Sequence, residues 1–164
     1  GSQLAGDRFC NPLATAATGV HSVVRLEISL NDAVCECIEL DLDGTTRGML
    51  RCCSLEDIVA EKLRSMLQQV IRNRRRPQDV YDVAHAVRTH PQIDYDRVSR
   101  FLTEKCLIRI VPLAKSRFDE QVRLMAMAEY PRLRETCGSQ FIEFDDAWSD
   151  VLKLVARLDI PQEI

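Results

Sequence analysis

The apolar pattern of this chain changes period at Ser54, and that change most constrains what it can fold into. Upstream the pattern runs in twos, and downstream it recurs every three to four residues, so strands should give way to helices. Residues 22–30 alternate cleanly, with Val24, Leu26, Ile28 and Leu30 on one face and Val23, Arg25, Glu27 and Ser29 on the other. Asn31-Asp32 is a turn signal, and residues 33–42 read as a second strand. Asp43-Gly44 then favours a tight turn into a third short strand over 48–53.

From Ser54 the reading is helical. Ser54 with Asp57 three residues on resembles a capping box and predicts a helix over 55–72. Its inward face is expected to hold Leu55, Ile58, Val59, Leu63, Met66, Leu67 and Val70, with Glu61, Arg64 and Gln68 pointing outward. Pro77 opens a second helix that ends near Thr89-His90-Pro91, because the residue before a proline avoids the helical region. A third, capped by Asp94 or Asp96, spans 95–106, and a fourth spans 115–129 and stops at Pro131. Asp145 or Asp146 caps the last, where Trp148, Val151, Leu152, Val155 and Leu158 make an apolar stripe. The expected class is α+β: a small antiparallel sheet over 1–53, then a bundle of about five helices over 54–164, as one structural unit.

Charge and cysteines exclude several functions. A net charge of −3 and a pI near 5.7 mean that any polyanion contact needs a local patch. No run of eighteen apolar residues offers a membrane span. The seven cysteines form no C-x-x-C pair and only three histidines accompany them, which disfavours zinc. They read as reduced, small core residues of a cytoplasmic protein. Gly1-Ser2 reads as a cloning remnant, with the native chain beginning further upstream.

Three features carry possible chemistry. Lys62 falls inside the apolar stripe of the first helix, one turn after Ile58 and one before Met66. A lysine there is costly unless it snorkels or meets an acid or a phosphate, so it is either a structural ion-pair partner or a functional ammonium. Asp79 and Asp82, three apart on the second helix, form either a solvated face or a pair seeking a cation: Lys62, an arginine or a metal. Arg72, Arg74, Arg75 and Arg76 crowd the intervening loop, where they either complement the helix dipole or face phosphate or nucleic acid. Glu27 is a strand-borne acid, on an exposed face or at a metal. No nucleophile triad and no Gly-rich phosphate loop is legible.

Taken together, Cys52-Cys53-Ser54-Leu55-Glu56-Asp57-Ile58-Val59-Ala60-Glu61-Lys62-Leu63-Arg64, the arginine run, and Pro77-Gln78-Asp79-Val80-Tyr81-Asp82-Val83 form a pattern. It resembles the C-terminal signature of the AbiEii/AbiGii nucleotidyltransferase toxins, in the DNA polymerase beta-like superfamily. There an A-E-K-L helix precedes an R-P-R-D-L-Y-D-L helix. The resemblance covers residues 8–160, with its specific part at 50–87. It implies magnesium-assisted transfer of a nucleotidyl group from an NTP to an RNA, such as tRNA, or a protein acceptor, and a cognate antitoxin as partner. It also implies a site in which Lys62 contacts the triphosphate and Asp79 and Asp82 are catalytic. Arg75 and Arg76 would lie near phosphates, and Glu27 would be a third carboxylate for metal.

Two departures qualify that expectation. The family's G-G-T-A-L turn and S-x-D-I-D-L strand, which carry its metal-binding aspartates, do not occur in the 164 residues, so the chain alone is expected to be inactive. Gln78 stands where the family usually has arginine. The alternative expectation is a non-catalytic helical module that binds a partner protein or RNA.

Overall fold

A computed structural model of the protein describes residues 33–41 and 49–163, all within the unit Ala33–Ile164. The expected strand at 22–30 with Glu27, and the turns at Asn31-Asp32 and Asp43-Gly44, lie outside the described residues. The two later strands form a hairpin in which β1 (Cys37–Asp41) pairs antiparallel with β2 (Met49–Cys53), Cys37 opposite Cys53 and Asp41 opposite Met49. Both strands are shorter than the alternation suggested. The hairpin is tied to the helices at its base, where the Ser54 N–H donates to the Glu36 carbonyl at 3.2 Å and Arg97 forms an ion pair with Glu36.

The period change at Ser54 marks a helix start. The Ser54 hydroxyl accepts a hydrogen bond from the Asp57 N–H at 3.2 Å, capping α1 (Leu55–Arg72). Asn73 closes α1 in the left-handed conformation at φ 48° and returns its N–H to the Gln69 carbonyl. Pro77 then begins α2 (Pro77–Thr89), at a position where its missing N–H is not needed. The Asp94 carboxylate accepts from the N–H groups of Asp96 and Arg97, capping α3 (Tyr95–Arg109), which runs one turn further than expected. The expected fourth helix divides into a 3-10 turn, Lys115–Arg117, and α4 (Glu120–Met127), because the Asp119 side chain caps afresh at the Val122 N–H. A 3-10 turn at Tyr130–Arg132 leads into the short α5 (Leu133–Cys137), a helix not foreseen. The last helix, α6 (Phe144–Arg157), begins at Glu143 without a side-chain cap, so neither Asp145 nor Asp146 has the capping role expected.

Helix α1 is the axis of the bundle, packed against α2, α3 and α4, with α6 covering α2. Leu63 and Met66 of α1, Val80 and Val83 of α2, Val98 and Leu102 of α3 and Val151 of α6 are sealed from solvent. Each such side chain contributes about 1.5–3 kcal/mol of burial free energy. Being surrounded on several sides also changes which α1 residues are buried. Arg64 and Gln68, expected outside, are buried, while Ile58 is 43% exposed. In α6, Leu152 turns to solvent and Leu154 takes its place in the core. The cysteines are not core residues as a class, since among the described ones only Cys106 is buried and Cys37 is exposed. No described helix is long and apolar enough to cross a membrane.

Candidate functional site

The stripe that carries Lys62 faces α2, and Lys62 meets both expected aspartates there. Its Nζ lies 2.9 Å from Asp79 Oδ1 and 2.7 Å from Asp82 Oδ2. The i,i+3 spacing on α2 sets the two carboxylates side by side, and the ammonium crosses from α1 to bridge them. Exposure ranks the three: the Asp79 side chain is 1% exposed, Lys62 27% and Asp82 41%. Asp79 is not part of a solvated face but fully inside, where the first turn of the helix favours its charge.

Burial pulls the Lys62 pKa down, but hydrogen bonds and charge from Asp82 and Asp79 outweigh it, and the result lies above the ordinary 10.5. Lys62 is therefore a fixed cation at neutral pH. Asp79 Oδ1 accepts a hydrogen bond from the Lys62 ammonium, whereas Oδ2 is buried with no hydrogen-bond partner. A buried acceptor left unsatisfied costs roughly 1–3 kcal/mol. Among the described residues no cluster of three or more His, Cys, Asp or Glu side chains is arranged to hold a metal. The ammonium already sits where a cation shared by Asp79 and Asp82 would go, so this pair does not fit magnesium. Glu27, the remaining expected ligand, lies outside the described residues.

The arginines of the loop do not act alike. Arg75 turns to Glu129 at 3.3 Å. Arg76, at the head of α2, donates its backbone N–H to Gln69 Oε1 at 2.7 Å. Gln69 is 2% exposed and its amide also donates to the Met66 carbonyl at 3.3 Å, so one buried glutamine holds the turn from α1 to α2. Gln78, where an arginine was expected, is exposed.

A second buried ion pair escaped the sequence reading. Lys105 of α3 reaches Asp57 of α1 at 2.8 Å and Glu61 at 3.7 Å, and donates to the Ala33 carbonyl. Side-chain exposure is 4% for Lys105 and 2% for Asp57. The signal was present: Lys105 follows Val98, Phe101 and Leu102 by seven, four and three residues, as Lys62 follows its own stripe. In the sequence Asp57 stands out only as a capping-box acid.

No curated protein and no solved structure matches this chain. A protein-family model described as "Nucleotidyl transferase AbiEii toxin, Type IV TA system" does match, over residues 6–152. The match spans the hairpin, the Lys62 and Asp79/Asp82 helices and most of α6, and the chain belongs to this family of toxin-antitoxin nucleotidyltransferase-like proteins.

Proposed function

We propose that this chain is the nucleotide-facing C-terminal portion of a toxin nucleotidyltransferase, which moves a nucleotidyl group from an NTP to an RNA or protein acceptor. The observation that carries the reading is Lys62, a permanent cation on a core-facing stripe, clasped between the buried Asp79 and the half-exposed Asp82. One ammonium against two carboxylates leaves the trio with a net charge of −1, which repels a triphosphate. Phosphate is admitted by exchange: its oxygen displaces the exposed Asp82 from Lys62, while the buried Asp79 keeps the ammonium in place. Lys62 then neutralises charge on the α-phosphate as the acceptor hydroxyl bonds to it and pyrophosphate leaves, while the buried Asp79 holds the ammonium in position.

Magnesium supplies charge neutralisation in transfers of this kind. It has no seat in the trio, so none of the steps above runs through it. A cognate antitoxin is the expected partner of a type IV toxin family member. The competing reading, a helical interaction module, is favoured by one observation: Lys62 is already satisfied by two carboxylates, as a structural lysine would be.

Calorimetric titration of ATP with magnesium separates the two. The expected result is binding by the parent chain that is lost in Lys62→Ala, with the variant shown by circular dichroism to remain helical. Equal binding by parent and variant, or none by the parent, rejects the nucleotide-site reading and leaves the interaction module.

A further inference from the structure

The arginine run contains a feature that the Lys62 trio does not use. Arg72, Arg74 and Arg76 line one recess at the C-terminal end of α1, together with Ser65, Gln68 and Gln69. Among the described residues no carboxylate pairs with any of these three arginines, although Arg75 between them is drawn away to Glu129. The turn thus sorts the run, with Arg75 held by a glutamate and the other three arginines lining a common hollow.

The rest of the lining is also made of donors. The Gln68 oxygen accepts from Arg64 Nη1 at 2.7 Å, which leaves its amide NH2 as the free polar end. The Gln69 oxygen is taken by the Arg76 backbone N–H at 2.7 Å. Ser65 adds a hydroxyl. Three arginines, an amide and a hydroxyl-bearing serine line the recess with no anionic residue among them, and Gln69 fixes the backbone at Arg76. Dipole complementation at a helix C-terminus accounts for one or two exposed cations. It does not account for three gathered around one hollow, where they repel each other until an anion arrives.

We propose that this recess is a phosphate-oxyanion site, distinct from the Lys62 trio, in which the forks of Arg72, Arg74 and Arg76 grip the oxygens of a phosphate. Lys62, Ser65, Gln69 and Arg72 follow one another at three, seven and ten residues, so trio and recess share one side of α1. Ten residues of helix place them about 15 Å apart along the axis. A polynucleotide backbone spans that separation and a free polyphosphate does not, so the two sources of phosphate are distinguishable.

The test uses the full chain at low salt with two probes: inorganic tripolyphosphate by calorimetry, and an oligouridylate of about ten nucleotides by fluorescence anisotropy. The paired variant Arg72→Gln/Arg74→Gln is compared with the parent, with Arg100→Gln as a single-charge control on α3. Both altered recess positions are exposed, so the fold should survive, and thermal melting checks this. The expected result is a loss of affinity of about tenfold or more in the paired variant and less than twofold in the control. If both probes bind and respond, the site takes nucleic-acid backbone; if only tripolyphosphate does, it takes free polyphosphate. Failure of both probes to bind the parent, or an equal loss in Arg100→Gln, overturns the proposal. Lys62 is intact throughout, so phosphate held at the trio alone would survive in the paired variant, and a loss there reports on the recess.

Discussion

Replacing Lys105 with methionine removes the cation from a carboxylate that has almost no access to water. Asp57 is 2% exposed, and its nearest cation is the Lys105 ammonium at 2.8 Å. Methionine matches the lysine stem in volume, so the loss is electrostatic rather than a cavity. Breaking a buried pair from one side costs about 3–5 kcal/mol, because the remaining charge is left desolvated. The Ala33 carbonyl also loses its donor, which loosens the segment leading into β1. For a chain of this size each kcal/mol lowers Tm by roughly 2–4 °C, giving a fall of roughly 6–20 °C. Urea unfolding followed by circular dichroism measures the free energy directly. The double variant Asp57→Leu/Lys105→Met removes both charges and should recover most of the loss, since apolar replacement of a buried pair is often neutral. A single variant within about 1 kcal/mol of the parent, or a double variant worse than the single one, refutes the reasoning.

Other outcomes follow from the same geometry. Ile110 ends α3 with φ 53° and 88% of its surface exposed, so Ile110→Gly relieves left-handed strain and should gain about 1 kcal/mol in urea unfolding. The Lys62 pKa is raised on folding, so its ion pairs contribute stability below the unfolded value of 10.5 and lose it as pH rises through the higher folded value. The stability gap between parent and Lys62→Met, measured across pH 9 to about 12, should therefore close only at the alkaline end. Burial pushes the Cys106 thiol up to about 12, whereas Cys37 is exposed. Iodoacetamide near neutral pH, read by peptide mass spectrometry, should therefore alkylate Cys37 well before Cys106.

The helical half was legible because its signals are local. The Ser54 cap, Pro77 at the head of α2 and the Asp94 cap each act within one turn, and the ends they predict for α1 and α2 match the structure. The core-facing position of Lys62 and the closeness of Asp79 to Asp82 followed from helical spacing alone. What spacing cannot show is how many neighbours a helix has. Because α1 packs against three others, Arg64 and Gln68 are buried on sides assigned to solvent. Asp79 is enclosed for the same reason, and Lys105 finds Asp57 only across the α1–α3 contact. Short elements such as α5 carry too few residues for a period to be visible. The recess of Arg72, Arg74 and Arg76 was foreshadowed by the run, but its sorting depends on Glu129, fifty-four residues beyond Arg75.

Lys62 is proposed as a phosphate-receiving cation from which Asp82 can be displaced. Titrating ATP into the parent and Asp82→Asn at equal salt tests it most directly. Removing the exposed carboxylate takes the trio from −1 to neutral and frees the ammonium, so binding should be several-fold tighter in the variant. Unchanged or weaker binding would contradict it, and would mark the trio as a structural clasp between α1 and α2.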